Sequence, residues 1–407
     1  MSPESLFNQC LEELKFLLKE KDYSRLSRRM MDLTVEFELP KVCSDISSKA
    51  REDYQLVQND AQAAEAIALI EQLAAQYINE IEQNKEQIIG SAHSYYEPGT
   101  IVFNGNGISK RYTSGGSPFY LQPVDIHLRI GELTGVVGEN GNGKTTLLRV
   151  IAGELSSDSG TMDFPLLGVR STNWYGIKNQ IAFIPQRLSR WRGSLIDNLR
   201  FYASIHGITG EENEKQVNYI LNRLGLNRYR NLKWSEISSG YRLRFELAKM
   251  LMWRPKLLIL DEPLANLDIN AQQLLLQDLK YIAKSIKHPL SIILSSQNLH
   301  EVESVSDNII FIKRGQTLYS GSQKQFGTER LVNNFELAGK FTREELIKAV
   351  TSIPGIKVED SGTVFMIACP VEFSAEEFLN TLLLNGMKIS YFRDISLSTR
   401  KLFQKDF

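Results

Sequence analysis

Cysteine is scarce. The three that occur in 407 residues, Cys10, Cys43 and Cys369, lie far apart with no CxxC spacing. That argues against both a disulfide framework and a zinc site and fits a reducing cytoplasm. Net charge is nearly absent as well: 47 Lys and Arg stand against 48 Asp and Glu, a formal net charge of -1. Nothing global attracts a phosphate backbone or an anionic lipid surface, so no nucleic-acid partner is expected. No apolar run approaches the roughly 18 to 20 residues needed to cross a bilayer, and Leu257 to Leu260 is only strand length. The start, MSPESLFNQC, has no basic region ahead of an apolar core and does not read as a secretory leader. If the protein serves a membrane process, a separate chain must supply the membrane. Gly (27) and Pro (12) are too few for a collagenous or disordered chain. At about 150 residues per domain, the length predicts two to three domains.

Charge is unevenly spread: residues 1–100 hold 18 acidic and 10 basic side chains, net -8, and the remainder is near +7. Residues 5–39 read as a helical hairpin, with Leu6, Phe7, Leu11, Leu14, Leu17 and Leu18 at helical spacing and Asp22 as cap of the second helix. From Ala63 to Ile88, the positions Ala63, Ile67, Ile70, Ala74, Tyr77, Ile81, Asn84 and Ile88 step by fours and threes. They predict one long amphipathic helix bracketed by Asp60 and Gly90. Its stripe either packs on the preceding hairpin or meets a partner helix. Tyr95 to Gly107, with Pro98, Gly99, Gly105 and Gly107, reads as a linker. From Ile101 to Phe326, short apolar runs (133–137, 181–184, 257–260, 291–294, 309–312) alternate with helical stretches, the pattern of a parallel α/β sheet with function at its strand carboxyl ends. After Phe326 the order strand, helix, strand, strand, helix, strand matches a small ferredoxin-like α+β unit. The expected domains are 1–94 (all-α), 95–327 (α/β) and 328–407 (α+β).

The strand Leu133 to Val137 runs into Gly138, Glu139, Asn140, Gly141, Asn142, Gly143, Lys144, Thr145 and Thr146, a full GxxxxGK(S/T) loop ahead of a helix. Glycines open backbone angles that let successive N–H groups converge on phosphate oxygens at a helix N-terminus. Lys144 adds a cation near the β and γ phosphates, and the Thr145 hydroxyl can ligate magnesium. The buried run Leu257 to Leu260 ends in Asp261 and Glu262. Beside a phosphate loop, Asp261 fits a magnesium carboxylate and Glu262 a base that polarises the attacking water.

Trp234 to Tyr241, followed by a helix just before the Asp-Glu strand, resembles the signature motif of the ATP-binding cassette (ABC) family. Phosphate loop, signature and Asp-Glu in this order distinguish that family from other P-loop NTPases. The resemblance implies a nucleotide-binding domain made of a parallel core, an antiparallel β subdomain and a helical subdomain. It extends densely over about residues 101–325. Gln186, in Ile181 to Gln186, resembles the glutamine that reaches magnesium and the lytic water. Tyr112 matches the aromatic that stacks on adenine, a contact of roughly 1 to 3 kcal/mol by analogy with base stacking. Ala265 to Asp268 resembles the loop that crosses the dimer interface, and Ser295 to His300 the switch region. Ser238, Ser239 and Gly240 would close over the ATP held by Lys144 of a second subunit, so the chain must dimerise with itself or another ABC subunit.

Two departures from the family pattern stand out. Ser239 and Tyr241 replace a glycine and a glutamine of the signature, with function expected to survive. Gln297 stands where histidine is common; its amide can donate a hydrogen bond to phosphate but cannot carry a proton, which leaves hydrolysis open at a reduced rate. His300 is a poor substitute, because a helix would turn it from the strand end.

The compact helical insertion between Gln186 and Gly240 resembles the surface on which transporters dock a permease. The tail, with Ile389 to Phe403 and its Ser396-Leu397, resembles the accessory domain of bacterial exporter ATPases. The resemblance therefore implies an ATP- and magnesium-dependent ATPase subunit of an exporter, cytoplasmic and peripheral on the inner face of the membrane, with a separate permease. The competing reading is a soluble ABC-type ATPase that remodels a protein or nucleic-acid complex recruited by the N-terminal helices. The plainest reading of those helices is that they only assist folding or dimer stability.

Overall fold

Asp22 decides where the first hairpin turns. Its carboxylate accepts the Arg25 backbone N–H at 3.0 Å and so caps the second helix. The computed structural model describes residues 3–57, 63–91, 99–113, 118–265, 267–325 and 332–396. Five helices come first: α1 (Pro3–Lys19), α2 (Tyr23–Glu36), α3 (Lys41–Leu56), α4 (Ala63–Gln83) and α5 (Lys85–Ser91). The α4 stripe Ile70, Ala74, Tyr77 and Ile81 is buried in one core with Leu14, Leu26, Met30 and Leu33. The stripe thus packs on the preceding hairpin. The Tyr77 hydroxyl donates to the Met30 carbonyl at 2.8 Å.

Three expectations need correction here. The long helix is broken at Asn84, whose side-chain amide donates back to the Glu80 carbonyl at 2.8 Å, and it resumes as α5. Gly90 does not end it, since α5 runs to Ser91, and Asp60 lies outside the described residues. The expected linker is in part a strand: β1 begins at Ile101, and Gly105 is buried within it. A Cβ on Gly105 would lie 2.4 Å from Ile108 Cδ1, so this glycine serves close packing rather than a turn.

Strands β1 (Ile101–Tyr112) and β2 (Phe119–Arg129) form an antiparallel pair, and β3 (Leu133–Val137) opens the central sheet. The chain returns to the first sheet with β4 (Ser159–Asp163), giving the order β2-β1-β4. The central sheet continues with β5 (Ile181–Ile184), β6 (Leu257–Leu260), β7 (Ser291–Ser296), β8 (Asn308–Lys313) and β9 (Gln316–Ser322). Its order is β5-β6-β7-β3-β8-β9, parallel except for β9. β3 and β6 are buried at every position, as expected of parallel strands covered on both faces.

Helices α6 (Lys144–Ile151) and α7 (Trp174–Lys178) precede β5; α8 (Leu195–Ile205), α9 (Gly210–Arg223) and α10 (Ser239–Leu251) form an insertion between β5 and β6. After β6 come α11 (Ile269–Ala283) and α12 (Leu299–Glu303). The N-terminal helices sit on α11, where Arg25 Nε donates to Gln277 Oε1 at 3.0 Å and the Tyr281 hydroxyl donates to Glu13 at 3.0 Å.

The last unit is β10 (Val332–Gly339), α13 (Arg343–Ala349), β11 (Lys357–Asp360), β12 (Phe365–Pro370), α14 (Ala375–Leu384) and β13 (Ile389–Asp394). Its fully antiparallel order β11-β12-β10-β13 is that of a ferredoxin-like sheet. Leu397 and the residues after it, which carry most of the tail resemblance, lie outside the described residues. Among the described residues no helix is long and apolar enough to cross a membrane. Replacing Tyr77 by Phe should lower stability by about 1 to 2 kcal/mol in urea unfolding, since it removes the two buried hydrogen bonds of the hydroxyl, to the Met30 carbonyl and to Thr34 Oγ1, and leaves the packing intact. An unchanged midpoint would contradict this account of the N-terminal core.

Candidate functional site

Register brings the loops together. Val137 pairs with Ser296, and Leu260 pairs with both Leu294 and Ile184. The residues that follow β3, β7, β6 and β5 therefore emerge at one edge, where open parallel sheets bind ligands. They are Gly138, Gln297, Asp261 and Pro185-Gln186.

The 138–143 loop is shaped by glycine at defined points. Gly141 and Gly143 have φ of 79° and 101°, in the left-handed region, and Gly143 caps α6. A Cβ on Gly138 would sit 2.2 Å from the Ile312 carbonyl oxygen. Asn142 is buried and its Oδ1 accepts the Arg314 N–H at 2.9 Å, which ties the loop to the β8–β9 turn. Its Nδ2 is a buried donor without a partner, the kind of group an anion would satisfy. Glu139, Asn140 and Gly141 are exposed.

Lys144 is 4% exposed, and its Nζ donates to the carbonyls of Gly138 and Glu139 at 2.6 and 3.1 Å. It also lies 3.0 Å from Glu262 Oε1. Thr145 Oγ1 donates to Asp261 Oδ1 at 3.0 Å. One hydroxyl beside one carboxylate is the sparse protein donor set that magnesium takes when phosphates complete its shell, so the residues fit Mg-ATP.

Ser295 was not among the expected site residues. Its hydroxyl donates to Asp261 Oδ1 at 2.8 Å and accepts the Glu262 backbone N–H at 2.8 Å. Glu262 has φ of 49°, a conformation costly for a side chain with a Cβ and common where function holds a residue in place. Ser295 thus pins a strained turn and orients the carboxylate in front of it. The register explains its place: Leu294 is level with Leu260, so the next residue flanks Asp261, a pairing that the linear sequence does not show.

A cavity of about 220 Å³ is walled in part by Gln186, Asp261, Glu262 and Ser239. The carboxylates, the glutamine loop and the start of the signature helix share it; Lys144 and Thr145 are not on its wall. Ser238 and Ser239 are exposed at the N-terminus of α10, and a Cβ on Gly240 would press Leu267 Cδ2 at 3.3 Å. Tyr241 packs on Tyr229 with the rings tilted by 45° and 4.1 Å between centroids, and it receives a 3.3 Å hydrogen bond from Arg228, a structural use for the departure at that position.

Gln297 is exposed immediately after β7. Asp268 caps α11 by accepting the Ala271 N–H, while Asn266 and the side chain of His300 lie outside the described residues. Tyr112 faces Phe119 across the β1–β2 hairpin, 6.5 Å between centroids. The Phe119 ring would meet a Cβ on Gly143 at 2.7 Å, so a second aromatic, absent from the sequence expectation, lies against the phosphate loop. A Ser295→Ala variant should lower kcat for ATP about 10- to 100-fold with little change in KM, as loss of an outer-shell partner does; unchanged steady-state turnover would remove the positioning role assigned to it.

The family model described as ABC transporter matches residues 121–265. The chain is 30% identical over 234 residues to the probable sulfate/thiosulfate import ATP-binding protein CysA of Chlorella vulgaris, covering 56% of this chain and 95% of that protein. It is 29% identical over 221 residues to the probable multidrug ABC transporter ATP-binding protein YbhF of Escherichia coli, covering 54% of this chain and 37% of that one. The solved structure of cbiO1 from Clostridium perfringens, described as part of the ABC transporter complex cbiONQ, aligns with a TM-score of 0.51 at 23% identity. It covers 62% of this chain and 95% of its own, a likeness of fold. With the phosphate loop, the Asp-Glu strand and the signature helix in place, the chain belongs to the ABC transporter ATP-binding proteins, and it is an ATPase.

Proposed function

We propose that this chain is the ATP-hydrolysing subunit of an exporter, working as a dimer peripheral to the inner face of the membrane and driving a separate permease. Its parts would be the helical domain 1–94, the nucleotide-binding domain 95–327 and the accessory domain 328–407. The observation that carries the catalytic part is the contact set Thr145–Asp261–Ser295–Glu262, with Lys144 closing on Glu262.

In this reading the loop N–H groups and Lys144 hold the phosphates, Tyr112 stacks on adenine, and Thr145, Gln186 and Asp261 hold magnesium. Bound magnesium would neutralise charge on the phosphates. Glu262 takes the proton of the water that attacks the γ-phosphorus while the bond to the ADP oxygen breaks. Gln297 donates to the phosphate. With nucleotide present, Lys144 must exchange its carboxylate partner for phosphate, which frees Glu262 to act as base. Ser238 and Ser239, exposed at a helix N-terminus, and the half-buried Gly240 beside them suit the phosphates of a facing subunit.

Support for export comes from the antiparallel β11-β12-β10-β13 unit, which fits the exporter accessory domain that the tail resembles. The relatives' own names include both import and multidrug transport. A protein partner of the N-terminal helices would have to meet a face other than the α4 stripe, which is already covered.

Glu262→Gln should reduce kcat by a factor of about 10² to 10⁴, the usual worth of a positioned base, and Lys144→Ala should abolish turnover. Tagged Glu262→Gln protein, trapped with ATP in gently solubilised cells, should copurify with a polytopic membrane chain. A soluble complex without any membrane chain would instead favour a remodelling ATPase.

A further inference from the structure

Six charged side chains from five helices gather at a junction that includes none of the phosphate-loop residues. Arg28 and Asp32 come from α2, Arg51 from α3, Arg223 from α9, Arg244 from α10 and Asp278 from α11. Asp278 Oδ1 accepts from Arg28 Nη1 at 2.8 Å and from Arg223 Nη1 at 3.0 Å. Arg223 turns the rest of its fork to Asp32, with Nε to Oδ1 at 2.8 Å and Nη2 to Oδ2 at 3.0 Å. Tyr219 donates to the same Asp32 oxygen at 3.2 Å. All but Arg244 are less than 9% exposed.

Four guanidiniums face two carboxylates, and the surplus is met by a helix end. Arg51 donates to the carbonyls of Asn222 and Arg223 at 3.1 and 3.4 Å, and Arg244 to that of Leu224 at 3.4 Å. These are the last carbonyls of α9, where the helix dipole is negative and cations are favoured. Burial works to raise the Asp278 carboxyl, but Arg28, Arg223, Arg244 and Arg51 outweigh it and hold it below the ordinary carboxylate range.

The cluster joins three parts of the molecule. α9 and α10 lie in the insertion that bears Ser238–Gly240, while α11 follows Asp261-Glu262 directly. The N-terminal helices are seated on the α11 side by further contacts, including Arg25–Gln277 and the Glu36 carboxylate on the Ile286 N–H at 3.1 Å. Their ion-pair and hydrogen-bond ties to α9 run through Asp32 and Arg51. Beside the cluster a cavity of about 580 Å³ separates the same three parts, so apolar packing does not close this junction. Buried ion pairs add little net stability over apolar packing of the same shape, yet they fix relative placement, because breaking one leaves a buried charge unpaired.

We propose that Asp32 and Arg51 are positioning residues of the ATPase: through Arg223 and the end of α9 they set where the N-terminus of α10 stands relative to the Asp261-Glu262 strand. The N-terminal helical segment is then a built-in brace for the signature helix. This rests on the reading that Ser238 and Gly240 act in hydrolysis.

The test uses the full chain with Asp32→Asn and Arg51→Met together, which removes one charge of each sign and leaves the seating on α11 untouched. Amide hydrogen exchange in 210–251 should accelerate at least about tenfold relative to wild type, with 144–151 unchanged. Turnover should fall about ten- to a hundredfold at nearly constant KM for ATP, because small misplacements cost rate and the phosphate loop is untouched. Gln277→Ala, which breaks only a tie between α2 and α11, should change neither. If the double variant does not fold, Asp32→Asn alone keeps the side-chain shape and should move both readouts in the same direction. Unchanged exchange in 210–251, or faster exchange with wild-type kcat, would overturn the proposal. A wild-type chain without turnover would count against the functional reading, while the exchange comparison would still decide whether the tie holds α9 and α10 in place.

Discussion

The carboxylate of Asp261 is the point on which the catalytic edge depends. Its Oδ1 receives the hydroxyls of Thr145 from the phosphate loop and Ser295 from the neighbouring strand, so three segments distant in sequence are held within hydrogen-bond reach. The same Ser295 hydroxyl accepts the N–H of Glu262 and keeps that residue in a left-handed turn it would not adopt freely. Asp261 is buried, and a buried carboxylate without partners is costly. The contacts that stabilise it are therefore also the contacts that align Glu262 with the phosphate loop.

That alignment is inherited from the sheet. β3, β6 and β7 are short and buried at every position, and their parallel register puts Gly138, Asp261-Glu262 and Gln297, which follow them, at the same edge. In the proposed function the Lys144–Glu262 pair occupies the point where nucleotide phosphates and a water would meet. Two opposite charges, each almost fully buried, satisfy one another until a stronger anion offers Lys144 a better partner. The N-terminal helices meet α9 through Asp32 and Arg51 and α11 through Arg28, Arg25 and Glu13, so in the proposed reading their influence on the site is one of placement rather than of direct contact.

Much of this was legible in the residues. Apolar runs located β3, β5 and β6 to the residue, because a doubly covered strand leaves an unbroken hydrophobic run, and the glycine loop and Asp261-Glu262 followed from local pattern. Asp22 gave away its cap. α3 was not legible: of its buried apolar positions Cys43, Ile46 and Ala50 only Ile46 is large, and they are spaced among serines and charges, too weak a stripe to read. β1 was hidden by Gly105 and Gly107, which look like a turn until packing against Ile108 is seen. Ser295 and Phe119 act through neighbours brought in by tertiary pairing, which no linear spacing reveals. The Arg28–Asp32–Arg223–Asp278 cluster was invisible for the same reason, its members being up to 250 residues apart.

The central claim is that Thr145 and Asp261 form a magnesium-dependent ATP site. Calorimetric titration of ATP into the full chain, with magnesium and with EDTA, tests it most directly when repeated on Asp261→Asn. The account predicts that magnesium tightens ATP binding to the wild-type chain by at least about tenfold and that the variant loses this difference. Equal affinity with and without magnesium in the wild type, or an unchanged magnesium effect in Asp261→Asn, would contradict it.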